Sequence, residues 1–309
     1  MQSNSESQWK VILAFVAIYV IWGTTYIGIA FGLDGFPPFI FCTFRFFTAG
    51  LLLFLYARSK NSRVPPRKIM FSSSVSGTIA LVGGSGLVTW AEQYVGPGHA
   101  ATIIAAEPFM FILFERSMWR YYFSQKTVIA GLLLGFAGLL LFSSASVPKA
   151  GAQEMQLAGN LVLILSALLW VLGSLYGKKT NTEAYSNTMI TSIQLMAAGI
   201  FSAFLALITG EWERFSFSGI STASWSGLVY MITMGSMVAF LAFTWLMTIR
   251  PPALVSTHTY VNPVVAVFTG WLLAGENFSC MQITGLVVIL LGVLLTKFPE
   301  YRNVRLFSK

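Results

Sequence analysis

Ten apolar runs, most close to twenty residues long, follow one another along the chain, at about 11–32, 38–57, 69–91, 98–119, 127–144, 156–176, 187–209, 222–247, 253–274 and 279–297. A bilayer core about 30 Å thick takes about 20 residues of helix at about 1.5 Å each, so every run predicts a membrane-spanning helix. The connections are short and carry turn residues: Asp34-Gly35 with Pro37-Pro38, Pro65-Pro66, Gly96-Pro97-Gly98 and Pro251-Pro252. The run over 222–247 is long and holds Gly235-Ser236, which predicts a tilt or a bend. The first run is too long for a cleaved leader and has no small-residue cleavage pattern before Asp34, so it predicts a permanent helix. The pattern as a whole predicts an all-α integral membrane protein with ten transmembrane helices.

Composition agrees. The 309 residues are 56% hydrophobic and only 10% charged, with a mean hydropathy of +0.72, where soluble domains carry about 25% charged residues. Water cannot be the solvent for that much apolar surface. The two cysteines, Cys42 and Cys280, form no disulfide framework and no metal spacing, and read as buried free thiols. The formal charge of +8 would suit a nucleic-acid partner, but its distribution argues otherwise. With ten spans, 16 of the 19 Lys and Arg fall on the side of the N terminus. They are Lys10, the five from Arg58 to Lys68, Arg116, Arg120, Lys126, Lys178, Lys179, Arg250, and the four from Lys297 onward. Only Lys149 and Arg214 fall on the other side, and Arg45 lies within a span. Basic loops stay in the cytoplasm, so both termini are expected there, in an inner or plasma membrane. The charge is spent on orientation and headgroup contact, and a nucleic-acid role is excluded.

Ten spans divide into two sets of five, expected as one unit over 10–145 and a second over 156–298, with tails at 1–9 and 299–309. A five-helix unit that repeats must insert upside down. Weak internal similarity follows that order. Ala106-Glu107-Pro108 in the fourth run answers Val261-Asn262-Pro263 in the ninth, with the prolines 155 residues apart. Gly131 and Gly138 answer Gly285 and Gly292 at 154. Trp22 answers Trp170 at 148. Two inverted five-helix repeats are a transporter architecture, with the solute site near the midplane. The glycines at 131, 135, 138, 285 and 292 let helices approach closely. Contact within one chain is the plainer expectation, and a homodimer seam is the alternative.

Several patches give the chain a family resemblance. They are Ile21-Trp22-Gly23-Thr24-Thr25-Tyr26, Arg45-Phe46 with Ala49-Gly50-Leu51-Leu52, Trp90-Ala91-Glu92-Gln93, and Tyr260-Val261-Asn262-Pro263-Val264-Val265-Ala266 with Gly275-Glu276. Over residues 10–298 the sequence resembles the ten-helix EamA-type exporters of the drug/metabolite transporter superfamily. The resemblance implies export of metabolites, amino acids or drugs by alternating access without ATP, and no Walker-type phosphate loop is present. Two positions depart from the pattern. Tyr121-Tyr122 stands in the first half where the second has Gly275-Glu276, and Glu107 occupies a place where a small or apolar residue is expected. The proton-coupling carboxylate that four-helix relatives carry in their first helix has no counterpart in 11–32.

Ionisable groups within spans cost about 2.5–3.5 kcal/mol at a helix centre and call for a reason. Arg45, Glu107 and His258 are the three. Arg45 and Glu107 lie at similar depth, about 12–14 Å from the outer end, which permits an ion pair between helices. The functional alternative is that Glu107 titrates or faces a cationic group of the solute. His258 and Asn262 share one helix face four residues apart, either as structural glue or as a pH-sensitive pair. Trp22 and Trp170 lie far from the interfacial belts, as core packing or as an aromatic wall for the solute. Pro263 removes a backbone hydrogen bond in mid-helix, and Pro108 is its counterpart, so both are candidate hinges. Trp90 marks the outer mouth with Glu92 and Gln93. The expected partners are a small-molecule solute, the lipid bilayer and, where Glu107 titrates, protons. No catalytic residue, cofactor or metal is expected.

Two rival readings remain. Gly83-Gly84-Ser85-Gly86 resembles the serine motif of rhomboid-type proteases, and His99 and His258 supply histidines, so an intramembrane serine protease using Ser85 is one. A non-transporting receptor or scaffold is the other.

Overall fold

A computed structural model describes residues 3–116, 119–144, 153–180, 184–250, 252–256, 258–275 and 277–304. Lys149, Pro251, Glu276, Arg305 and Lys309, all invoked above, lie outside the described residues, as does the end of the tail expected at 299–309. The described residues contain helices and turns and no strand. The principal helices are α1 (Ser3–Leu33), α2 (Pro38–Ser59), α3 (Arg67–Ala91), α4 (Pro97–Phe114) and α5 (Lys126–Ser144). They continue with α6 (Gln156–Lys179), α7 (Asn187–Ile208), α8 (Thr222–Ile249), α9 (His258–Ala274) and α10 (Cys280–Val304). Seven of them, α1 to α4 and α6 to α8, are long and apolar enough to cross a membrane. In α5, α9 and α10 the apolar stretches are shorter, Lys126–Phe142, Val261–Ala274 and Cys280–Gly292. Helix α10 runs on to Val304, so the expected C-terminal tail begins as helix.

The ends have local causes. Pro38 and Pro97 sit in the first turns of α2 and α4, where a missing N–H costs nothing. Ser186 and Ser221 cap α7 and α8 by accepting from the backbone N–H groups of Met189 and Ser224. The first turn of α2 is capped from a distance. Glu211, in the short helix Glu211–Arg214, accepts from Phe39 N at 2.9 Å and Ile40 N at 3.0 Å.

Polarity is distributed for lipid. Leu133, Leu157 and Phe71 are 69–70% exposed, while Arg45, Glu107, His258 and Asn262 are buried. Among the described residues the greasy surface is outside and much of the buried polarity is inside, as expected for a multi-pass membrane protein. The thiols divide: Cys42 is buried, but Cys280 is exposed at the start of α10, where the apolar run alone predicts burial.

The packing is regular. Helix α2 lies against α7 and α5 against α10. Helix α1 packs on α8 and α9, while α6 packs on α3 and α4. The closest approaches need glycine. A Cβ at Gly199 would stand 2.5 Å from Phe47 N, and one at Gly138 would stand 2.7 Å from Ile289 N. Gly138, Gly285 and Gly292 are thus used inside the chain, between α5 and α10, while Gly135 makes room for the Phe109 ring of α4.

Two helices change winding midway. Helix α3 is a π-helix over Thr78–Gly86 and α8 over Met231–Ala239, nine residues in each. The second starts 153 residues after the first. The irregularity of the long eighth helix falls at Gly235-Ser236. π segments are rare and cluster at functional sites, because they re-aim side chains and loosen the backbone ladder.

Candidate functional site

A narrow cavity of about 70 Å³, room for a few water molecules, lies between the two π segments. Its walls include Trp22, Arg45, Glu107, Trp170, His258 and Asn262, together with Ser85, Gly235 and Phe240. These come from α1, α2, α4, α6 and α9, from the π segments of α3 and α8, and, for Phe240, from the α-helical turn that follows the second.

Arg45 crosses the cavity. Its Nη1 donates to Ser85 Oγ at 3.0 Å and its Nε to Ser236 Oγ at 2.9 Å, so one guanidinium joins both π segments. Its Cζ also lies 4.7 Å from the Phe46 ring centre. Buried charge-assisted hydrogen bonds contribute about 1.5–3 kcal/mol each. The ion pair that equal depth permits between Arg45 and Glu107 is not formed. Depth fixes height in the membrane but not direction around the helix. Arg45 turns to the serines instead, and Glu107 Oε2 is buried with no hydrogen-bond partner.

The location of Glu107 has a backbone cause. Helix α4 breaks at Ala105-Ala106 and restarts at Glu107, with Pro108 in the new first turn. A carboxylate at a helix start is favoured by the free N–H groups there. Pro263 behaves differently, because α9 continues through it.

His258 and Asn262 meet within α9. The Asn262 amide is satisfied at both ends when its nitrogen donates to His258 O (2.9 Å) and Tyr19 O (3.1 Å) and its oxygen accepts from His258 Nδ1 (3.2 Å). That orientation ties α9 to α1 and places the imidazole proton on Nδ1. His258 Nε2 is then a buried acceptor with no partner. The ring lies edge-on to Trp22 at 4.7 Å. Trp22 also meets Trp170 edge to face at 5.3 Å and donates from Nε1 to Gly235 O in the π segment of α8 at 3.3 Å. Phe243 closes the group at 5.1 Å from Trp22 and 5.2 Å from Trp170.

Two wider vestibules flank the bundle. One, of about 390 Å³, opens on the basic face between α3, α6, α7 and α8. The other, of about 680 Å³, opens on the opposite face. Trp90 belongs to the latter, against Tyr94 at 4.9 Å, and is not part of the central cavity.

The protease pair is not assembled. Ser85 is held by Arg45, His99 Nε2 meets Asn160 Oδ1, and His258 is bonded to Asn262. Gly83 and Gly84 instead make room for Leu169 and Trp170 of α6. Sequence reading missed Ser236, Phe240 and Phe243. Their signal is an aromatic pair three residues apart, just after the only Gly-Ser step of the eighth run.

A polytopic helical bundle with a polar cavity between vestibules is the form of a membrane transporter. The chain belongs to the EamA-like transporter family, which matches residues 9–144 and 157–298. It is 30% identical over 292 residues to the uncharacterized inner membrane transporter YedA of Escherichia coli (strain K12), covering 93% of this chain and 90% of that protein. The uncharacterized transporter YoaV of Bacillus subtilis (strain 168) is 24% identical over 300 residues, covering 95% of this chain and 99% of that protein. A solved crystal structure shares the fold, with a TM-score of 0.67, 16% identity, and 94% and 98% of the two chains covered. A transporter in a membrane implies a small-molecule solute and the bilayer as partners.

Proposed function

We propose that the chain is a secondary-active or facilitative exporter of a small metabolite, amino acid or drug, working by alternating access. In this reading ten helices cross the membrane as two inverted repeats, 10–145 and 156–298, with the basic face and both termini in the cytoplasm. The solute occupies the central cavity against Trp22, Trp170, Arg45, Glu107, His258 and Asn262. Trp90 stands at the outer vestibule, and Pro108 and Pro263 serve as hinges. Glu107 and His258 are the candidates for proton coupling.

The observation that carries the reading is Arg45 held between two π segments of equal length, one in each half, at the wall of a cavity with a vestibule on either face. The exchange of packing partners supports it, since α1 uses α8 and α9 as α6 uses α3 and α4. The cavity is narrower than the about 300–1,000 Å³ of small-molecule sites, so a solute requires its walls to move. Paired π segments supply places where backbone bonds can be exchanged.

Counterflow in proteoliposomes preloaded with mixed amino acids tests this. Labelled phenylalanine or threonine accumulating above empty-vesicle controls supports the reading. If neither these nor sugars, nucleosides and cationic drugs accumulate, the transport reading fails.

A further inference from the structure

The three cavities differ in charge. The outer vestibule has Asp34, Glu211 and Arg214 in its wall, and the central cavity has one basic and one acidic side chain, Arg45 and Glu107. Among the described residues the basic-face vestibule has Lys178 and Lys179 and no carboxylate in its lining. Glu115, which attracts Lys178, stands outside that lining.

Two features separate this vestibule from the ordinary basic rim of a membrane protein. The lysines border a concave space between four helices whose floor is hydroxyl and amide. Its polar side chains include Ser76, Ser174, Gln194 and Thr244. Within that floor Ser174 is 8% exposed and its Oγ has no hydrogen-bond partner. A buried hydroxyl without a partner is costly, and a ligand acceptor would satisfy it. Phe240 is the other feature. It lines both this vestibule and the central cavity, with the Phe243 ring stacked beside it at 6.3 Å. The two spaces are adjacent and an aromatic wall divides them.

We infer that the basic-face vestibule is a second binding site, which takes an anionic group of the solute, a carboxylate or a phosphate, before Phe240 admits it to the central cavity. The inference rests on the transport reading for its direction but not for its chemistry. Lys178 and Lys179 supply the attraction, and Ser174 and its hydroxyl neighbours supply directional contacts.

Cysteine labelling tests this. Thr248 borders the vestibule and is exposed, so Thr248→Cys is introduced with Cys280→Ser, leaving the buried Cys42 in place. In nanodiscs of neutral phosphatidylcholine, an anionic sulfonate-bearing methanethiosulfonate should react about fivefold faster, relative to a cationic one, than with free cysteine. Lys178→Gln with Lys179→Gln should abolish that preference, and millimolar inorganic phosphate should protect the cysteine. Both lysines are exposed, so the variant keeps its fold, checked by its elution profile. No anion preference, or one indifferent to the lysines, overturns the inference. Protection by phosphatidylglycerol nanodiscs without protection by phosphate also overturns it, because the site would then hold a lipid headgroup. Counterflow with no anion preference leaves the transport reading standing without this site. Anion preference with phosphate protection but no counterflow leaves the site standing without transport.

Discussion

Arg45 donates from Nε to Ser236 Oγ at 2.9 Å, a bond between α2 in the first half and the π segment of α8 in the second. Its other bond, to Ser85, ends in the π segment of α3. A guanidinium can hold two directional partners at a fixed angle, and an ammonium cannot. Arg45→Lys should therefore keep the charge and lose the clasp. We expect counterflow to fall at least about tenfold and unfolding stability to drop by about 1–3 kcal/mol. A double-mutant cycle with Ser236→Ala, read by thermal unfolding, should show coupling of about 0.5–3 kcal/mol. Additive effects would mean that the bond does not join the halves.

Glu107→Gln should separate function from folding. Glu107 is 5% exposed with one oxygen unpartnered, so the isosteric amide replaces the buried carboxyl at little structural cost. Thermal unfolding should be unchanged or slightly improved, while counterflow of solutes carrying a cationic group falls about tenfold or more. Unaltered kinetics would remove Glu107 from the solute site.

The seam between α5 and α10 predicts a purely structural defect. A Cβ at Gly138 would meet Ile289 N at 2.7 Å and Gly285 O at 2.9 Å, backbone atoms that cannot rotate away. Gly138→Val should cost about 1–3 kcal/mol by overpacking, measured by unfolding in detergent.

Glu211 gives a pH dependence outside the spans. Burial raises its carboxyl above the ordinary 4.5, against the opposing pull of the Ile40 and Phe39 N–H groups and Arg214. A raised acid contributes stability that is full below its unfolded value and is lost as pH rises through the folded one. Unfolding midpoints should therefore fall as pH climbs from the ordinary carboxylate range, and Glu211→Gln should flatten that slope. Glu211→Ala removes the cap on Phe39 and Ile40 and should cost about 1–2 kcal/mol at any pH.

The helices were legible because lipid imposes one rule on every span, enough apolar residues to cross. A helix is found at each of the ten runs, seven of them long and apolar enough to cross a membrane, with ends set by prolines and serines visible in the sequence. The cavity residues were legible for the converse reason. Arg45, Glu107 and His258 are expensive within apolar runs, and Trp22 and Trp170 are out of place away from the interface. The partners were not legible. Serines are common in such helices, and nothing in Ser85 or Ser236 announces a contact with Arg45. The π segments also escaped, since their apolar pattern differs little from an α-helix over nine residues. Trp90 looked like its fellow tryptophans, but it sits where α3 ends and belongs to a different space.

The central claim is that the two faces open in alternation, and paired distances measure this most directly. Spin labels at Thr180 and Thr248 span the basic-face vestibule, and labels at Gln93 and Ser218 span the opposite one. With the counterflow-active solute added in nanodiscs, pulsed-EPR distances should shift at both faces in opposite senses, one pair closing as the other opens. Distances that stay fixed at both faces, or that widen together, would contradict the account.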